Sequence, residues 1–468
     1  MTNNLFRKLP SVDALLADEE GRALVSAFGH GQAVQAARDV LEGLRARIAA
    51  GGPAAPDEAS LEQPVLIDLV LDRLHAKIAP SLRPAVNATG IIMHSGLGRA
   101  VLAPGALEAL GSVGRGYSTL ALDLETGRRA TRDLHVESIL RELTGAEAAT
   151  VANNNAAATV LILNTLARGR EVIVSRGQLV EIGGSFRLPD VMQTSGAVLR
   201  EVGTTNKTHL RDYAEAMSDR TGAILRVHHS NYRILGFAEE PGLAELVELG
   251  RQRGVPVVDD LGSGALVDLK AFGLETEPLV QDSLQAGADV ACFSGDKLIG
   301  GPQSGIIVGR AETIQRIKRN PLARAFRCGK LTLAALEATL KLFLRPELLA
   351  ERHPVYRMFA LDIETLERRA GAVAAALKHG LKDEAAASVA AAESQVGSGA
   401  VPVLTLPTRA LVVHPARGGP DELGRRLRHA SPPVFTRVAD DAVWLDFRTI
   451  QPDEDGTVTE ILLQALKA

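Results

Sequence analysis

The 468-residue sequence predicts an α/β protein with a mostly parallel sheet and helices on both faces, plus an N-terminal helical domain and a smaller C-terminal α/β domain. Three observations carry that expectation. Between about residue 85 and residue 330, short β-branched runs alternate with helical stretches, as buried parallel strands joined by helices do. Ahead of them, apolar residues recur at helical spacing. Aromatic side chains are scarce at 3% while Gly and Ala are abundant, which suits close helix-on-sheet packing rather than a β-sandwich.

In chain order, Val12, Leu15 and Leu16, then Val34, Ala37, Val40, Leu41, Leu44 and Ile48, mark helices across residues 11–50. The Gly- and Pro-rich run 49–56 is a loop or linker. A further helix is expected from about Leu61 to Ile78, so residues 1–80 form the helical domain. Residues 81–330 form the core domain, with strands expected at 149–152, 171–175, 223–228, 256–260, 289–293 and 305–308. A long helix at 331–344 opens the third domain, 331–468, whose strand-like runs are 401–405, 410–413 and 443–447.

The bulk numbers exclude several classes. Hydrophobic residues at 46% and charged residues at 23% are ordinary for a soluble globular chain. The net charge of −4 carries no nucleic-acid signature, and in residues 1–80 acidic side chains outnumber basic ones. The two cysteines, Cys292 and Cys328, are too few for a disulfide framework and fit a reducing compartment. The N-terminus lacks the apolar stretch of a signal peptide, and no run of 18 apolar residues suggests a membrane span. The cytoplasm is the expected location. No zinc-ligand spacing, no G-x-S-x-G elbow and no phosphate-binding P-loop are present, so no metal site is expected.

The most informative stretch is Phe293-Ser-Gly-Asp-Lys-Leu-Ile-Gly-Gly-Pro-Gln-Ser-Gly305. A lysine that ends a strand beside a Gly-rich turn is either a surface residue or one held rigidly and partly dehydrated. In the second case dehydration lowers its pKa and leaves an amine able to form a Schiff base, as pyridoxal phosphate (PLP) requires of its lysine. Asn153-Asn-Asn-Ala-Ala-Ala158 opens a helix after a strand, which makes it an N-cap, a phosphate site, or both. Val257-Val-Asp-Asp-Leu-Gly262 ends a strand in two carboxylates. One of them can face a pyridine nitrogen, or either can cap a helix or bind metal; spacing does not decide between Asp259 and Asp260. In Val227-His-His-Ser-Asn231 a His or Asn231 can reach the cofactor's ring oxygen or fill a turn. Arg99 follows a Gly-rich turn, and Arg324 and Arg327 stand at i, i+3. Arginines so spaced suit a phosphate-like anion or form a solvated basic face.

These segments, in this order, resemble the bacterial L-seryl-tRNA(Sec) selenium transferases, or selenocysteine synthases. The likeness runs from Leu9-Pro-Ser-Val-Asp-Ala-Leu-Leu16 to Trp444-Leu-Asp-Phe-Arg448 and is densest from Asn87-Ala-Thr-Gly90 to Thr339. Its distinctive runs include Asn153–Ala158, Val174–Arg187, Glu201-Val-Gly-Thr-Thr-Asn206 and Phe293–Gly305. The resemblance implies a fold type I PLP enzyme assembled as a ring-shaped decamer built from dimers. It implies that Lys297 carries the cofactor, Asp260 rather than Asp259 faces the pyridine nitrogen, and Asp296 is a further catalytic candidate. Asn154, Asn155, Ala156, Asn231 and Ser294 complete the expected cofactor contacts. Arg99, Arg324 and Arg327 map to the family's anion pocket, read as the selenophosphate site. Residues 1–80 would recognise the tRNA. The implied reaction converts seryl-tRNA(Sec) to selenocysteinyl-tRNA(Sec) through an aminoacrylyl intermediate. The chain departs from the family pattern at Ser95-Gly96 and at Cys328-Gly329, both beside the expected anion pocket. Cys328 itself reads as structural rather than reactive.

Two other readings use the same residues. One is a PLP-dependent lyase acting on a small free amino acid or amino sugar acid, against which the helical domain argues. The other is an RNA-binding protein without catalysis, against which the combination of Asp260, Lys297 and Asn153–Asn155 argues.

Overall fold

A computed structural model describes residues 2–52, 55–182, 186–229, 232, 234, 236–274, 277–381, 385–397 and 404–467. The chain divides into two compact units, Met1–Pro84 and Ala85–Ala468.

The first unit is helical: Thr2–Lys8, Val12–Leu16, Glu19–Phe28, His30–Ala50 and Gln63–Ile78. Its helix starts are chemically marked. Ser11 accepts from the Ala14 N–H at 3.1 Å, and Asp18 accepts from the Gly21 N–H at 2.7 Å. The apolar stripe read from the sequence becomes a core in which Leu15, Leu41, Ile48, Leu66 and Val70 are buried together.

The second unit holds two large sheets. The strands in chain order are β1 (Val86–Ala88), β2 (Ile91–Met93), β3 (Ala148–Ala152), β4 (Glu171–Ser175), β5 (Glu181–Ile182), β6 (Phe186–Arg187), β7 (Val198–Val202), β8 (Thr221–Val227), β9 (Val257–Gly262), β10 (Val290–Ser294), β11 (Gly305–Gly309), β12 (Ala385–Gly397), β13 (Thr405–Pro415), β14 (Val434–Ala439) and β15 (Ala442–Asp446). The central sheet runs β3-β11-β10-β9-β8-β4-β7. It is parallel from β10 to β7, and β11 is antiparallel to both its neighbours. Period-two alternation buries both faces. Ala149, Val151, Ala291, Phe293, Ile306 and Val308 join one core with Leu336 and Tyr356. Ala148, Val172, Val174, Cys292 and Ile307 join the other with Leu161, Ile162 and Ile314. Each fully buried Leu, Ile or Val contributes about 1.5–3 kcal/mol relative to exposure.

The second sheet runs β1-β14-β15-β13-β12-β2. Its middle is antiparallel, and β1 and β2 join its two edges in parallel to β14 and β12. Residues 86–93 therefore stand outside the central sheet and pair with strands from the C-terminal part of the unit. Asn87-Ala-Thr-Gly90 is the turn that allows it. The Asn87 carboxamide accepts from the Thr89 N–H and hydroxyl at 3.1 and 2.7 Å and donates to the Ile91 carbonyl at 2.9 Å. Gly90, at φ +80°, passes so close to Asp446 that a Cβ there would lie 2.5 Å from its Oδ2. The strand expected at 401–405 falls mostly on residues 401–403, outside the described residues; β13 begins at Thr405. Among the described residues no helix is long and apolar enough to cross a membrane.

Candidate active site

β9 and β10 are parallel neighbours, and their carboxyl ends deliver Asp260 and Lys297 to one cavity. In a parallel sheet that is where ligands bind. The cavity, of about 270 Å³, is lined by Arg99, Asn154, Asn155, Ala156, His228, Asp260, Ser294, Lys297 and Gln303, with Val180, Leu188 and Val227 as its apolar wall. Of the expected residues, Lys297, Asp260, Asn154, Asn155, Ala156, Ser294 and Arg99 meet here. Asn231 lies outside the described residues.

The pleat of β9 separates the two carboxylates. Asp259, fully buried, accepts from Arg226 Nη1 at 3.0 Å and from the Ser283 hydroxyl at 2.6 Å; it is a structural ion pair away from the cavity. Asp260 faces the cavity. Asn155 Nδ2 donates to its Oδ1 at 2.8 Å, the Gly262 N–H to the same oxygen at 3.0 Å, and the Thr159 hydroxyl to its Oδ2 at 2.9 Å. Burial pushes this carboxyl above its ordinary range, against the three hydrogen bonds that favour the charged form. Sequence reasoning missed Thr159. The signal was there: Asn155 and Thr159 are one turn apart on the helix Asn155–Ala167, so both reach the same carboxylate.

Lys297 is buried in a tight turn after β10. Its amine is pulled below the ordinary lysine range, first by burial and then by the nearby Arg99 guanidinium, while Asp260, Asp296 and Glu277 oppose that shift. Asp296 binds Arg99 Nη1 through both carboxylate oxygens, at 3.2 and 3.0 Å. Arg99 adopts φ 64°, a left-handed conformation rare for a side chain this long. Its N–H donates to the His94 carbonyl at 2.9 Å, closing the turn Ser95–Leu97 that aims it.

The Lys297 turn is braced from behind. The Gly295 N–H donates to Ser304, and the Gly300 N–H to Lys297, each at 2.8 Å. The Tyr356 hydroxyl donates to the Leu298 carbonyl at 3.0 Å, and His353 Nε2 to the Ile299 carbonyl at 2.9 Å. The His353 ring sits where a side chain on Gly300 would be, 2.1 Å from the Cβ position. Burial pulls His353 down to about 4. Unfolded histidine titrates near 6.5. Below that pH the unfolded chain binds a proton that the folded chain refuses, so stability is complete above about 6.5 and lost progressively toward about 4. The loss reaches about 3 kcal/mol for this one group. His353→Gln is expected to flatten the decline of the urea midpoint between pH 6.5 and 4.5, an outcome that parallel denaturation series check.

Arg324 and Arg327 do not reach the Lys297 cavity within one chain. They line a second cavity of about 330 Å³ with Arg129, Arg132 and Lys318. The β3-to-helix turn lies between the two, pinned by the Asn153 N–H donating to the Phe326 carbonyl at 2.8 Å. Lys318 is neutralised by Glu137 at 2.8 Å. Arg132 Nη1 donates to the Cys328 carbonyl at 2.8 Å. The neighbouring guanidiniums of Arg132, Arg324 and Arg129 pull Arg327 below its ordinary range, Arg132 most strongly. Such a cluster is stabilised by an anion. Arg129 and Arg132 were not singled out in the sequence because they lie in an irregular loop with no periodic signal. Cys328 donates to the Ala152 carbonyl at 3.2 Å, and burial pushes its thiol up to about 11, so it is an inert packing residue. Among the described residues no cluster of His, Cys, Asp and Glu is arranged to hold a metal ion.

A family model described as L-seryl-tRNA selenium transferase matches residues 85–451, and one described as the selenocysteine synthase N terminal matches residues 6–45. The L-seryl-tRNA(Sec) selenium transferase of Solidesulfovibrio magneticus is 50% identical over 464 residues, covering 99% of this chain and 98% of that protein. Those of Nitratidesulfovibrio vulgaris and Moorella thermoacetica are 48% and 47% identical, with 99% and 98% of their lengths covered and 99% and 100% of this chain. Among solved structures, D-glucosaminate-6-phosphate ammonia-lyase aligns with a TM-score of 0.57 at 17% identity, over 84% of this chain and 98% of that one. That likeness supports the fold class, the fold type I α/β arrangement. With both of its sequence regions matched, this chain belongs to the L-seryl-tRNA selenium transferase family.

Proposed function

We propose that this chain converts L-seryl-tRNA(Sec) to L-selenocysteinyl-tRNA(Sec), with pyridoxal phosphate as cofactor and selenophosphate as selenium donor. The observation that carries the reading is the near-50% identity, over 99% of the chain, to a protein bearing that name.

The Lys297 cavity fits the cofactor on its own chemistry. The buried, dehydrated amine of Lys297 suits covalent attachment. Burial raises the Asp260 carboxyl, and a cation facing it favours its charged form; a protonated pyridine nitrogen is such a cation. Asn154, Asn155 and Ala156 bring the N-terminus of a 13-residue helix to the same cavity, a favourable place for a phosphate. The buried Oδ1 of Asn155 has no hydrogen-bond partner in the protein, which leaves an acceptor for a ligand donor. When bound, pyridoxal phosphate supplies an electron sink for the pair released at the serine α-carbon.

The protein's own groups then have definite tasks. Lys297 Nζ, its pKa lowered by burial, takes the α-proton of the seryl ester. Asp296 fixes Arg99 at the cavity by a two-point ion pair. Val180, Leu188 and Val227 keep water from the reacting carbons. The arginines of the second cavity hold the phosphate end of the selenium donor, and Arg129 and Arg132 join Arg324 and Arg327 in that task. The substrate is an ester, so no arginine is required for a free carboxylate. The helical unit Met1–Pro84 recognises the tRNA, and the chain works in the cytoplasm as a decamer.

The test is single-turnover conversion of seryl-tRNA(Sec) by PLP-loaded protein with and without selenophosphate, using ordinary seryl-tRNA and free serine as controls. Selenocysteinyl-tRNA formed only from the cognate tRNA with selenophosphate is the expected result. Pyruvate from free serine with no response to tRNA would overturn it in favour of a lyase.

A further inference from the structure

We propose that the open cleft bounded by Arg168, Arg316 and Arg319 is a docking surface for the phosphodiester backbone of RNA. The inference rests on the tRNA substrate argued above and gives that substrate a surface on the unit Ala85–Ala468.

The cleft, of about 760 Å³, is by volume larger than either cavity already described. Three segments meet there, and side-chain amides lock them together. Asn320 Nδ2 donates to Asn164 Oδ1 and to the Thr165 hydroxyl, both at 2.9 Å. Asn164 Nδ2 donates to the Ser195 carbonyl, also at 2.9 Å. The floor is thus rigid, neutral and polar. Three exposed guanidiniums stand around it: Arg168 at the end of the helix Asn155–Ala167, and Arg316 and Arg319 at i, i+3 on the helix Ala311–Arg319.

Some surface arginines of this chain are paired: Arg176 with Glu201, Arg310 with Asp289, Arg425 with Glu422. Among the described residues Arg168, Arg316 and Arg319 have no side-chain hydrogen bond or ion pair, and no carboxylate lines the cleft. Placement at a helix C-terminus accounts for Arg316 and Arg319 through the helix dipole. It does not account for Arg168 converging on them from another element, or for the missing carboxylates in a chain of net charge −4.

The shape selects the ligand. A compact anion is bound tightly only where it is dehydrated and surrounded. An open cleft with separated cations and a floor of amides and hydroxyls suits successive phosphates, with amide contacts to ribose hydroxyls. Past Arg319 the chain runs through Asn320 to the helix Pro321–Ala325 and on to Arg324 and Arg327. Basic residues therefore continue along the chain toward the second cavity.

The experiment measures binding of tRNA(Sec) to the full-length PLP-loaded protein across a salt series, for the native chain and for Arg168→Gln/Arg316→Gln/Arg319→Gln. Each lost phosphate contact lowers the slope of log affinity against log salt by about 0.7–0.9. The expected result is a slope shallower by about 2 and an affinity about tenfold to a hundredfold lower, with unchanged cofactor absorption and sedimentation. Each single Arg→Gln variant is expected to give about a third of the slope change, which keeps the test intact if the triple variant fails to fold. Native affinity and slope in the variants would overturn the docking surface alone. Altered sedimentation of the singles would overturn it too, by making the cleft a contact between copies. A native chain that ignores tRNA would overturn both this surface and the proposed function.

Discussion

Lys297→Ala removes turnover and the visible absorption of the bound cofactor together. Rate loss from deleting a positioned base is about 10²–10⁴-fold, and loss of the covalent attachment adds to it. The fold is expected to survive, because the turn around Lys297 is held by backbone bonds of Gly295 and Gly300 and by Tyr356 and His353 from behind, none of which uses the lysine side chain. Lys297→Arg is the sharper control. It keeps a long cationic chain in place but cannot present a neutral amine, so it is equally inactive. Single-turnover kinetics and the absorption spectrum check both variants, and turnover by either would remove Lys297 from the chemistry.

Asp260→Asn has the next largest expected effect. The substitution keeps shape and most partners. Asn155 Nδ2 still finds an oxygen, and the Thr159 hydroxyl, already 3.0 Å from the Asn155 carbonyl, turns to donate there and accepts from the new amide. What disappears is the charge. Without it the ring nitrogen has no anion to hold its proton, and kcat is expected to fall about 10²–10³-fold with little change in unfolding temperature. Asp259→Asn is the matching control with the opposite signature. It leaves Arg226 at the sheet without its anion, so stability falls while the cofactor spectrum of the folded fraction does not change. Equal kinetic effects from the two substitutions would contradict the division of labour that the β9 pleat imposes.

The fold was legible where side-chain chemistry and backbone preference agree. β4 and β10 carry short apolar runs, Val172–Val174 and Val290–Phe293, and are buried at every position, as doubly covered strands are. β12 escaped because its Ala-rich sequence has no strand signal; it is made a strand by pairing with β13 along its length. β7 escaped because its residues are mostly exposed at the sheet edge. In the site, the need for one carboxylate was readable at Asp259-Asp260, but which one faces the cavity follows from the pleat and from the bonds of Asn155 and Thr159. That Arg324 and Arg327 line a different cavity from Arg99 was not readable, since it depends on how Phe326 docks against Asn153 across the fold.

The pairing of β2 with β12 sets an order of events during synthesis. Arg99 reaches Asp296 only because β2 holds the turn before it, and β2 is held at Gln395 and Gly397 of β12. β1 in turn waits for Val434. The ribosome has therefore already released the segment bearing Lys297 and Asp260 long before the partners of residues 86–93 exist. A nascent or prematurely terminated chain can hold every strand of the central sheet, which ends at Gly309, before the partners of residues 86–93 are made. Completion of the polypeptide is thus a condition for a competent pocket.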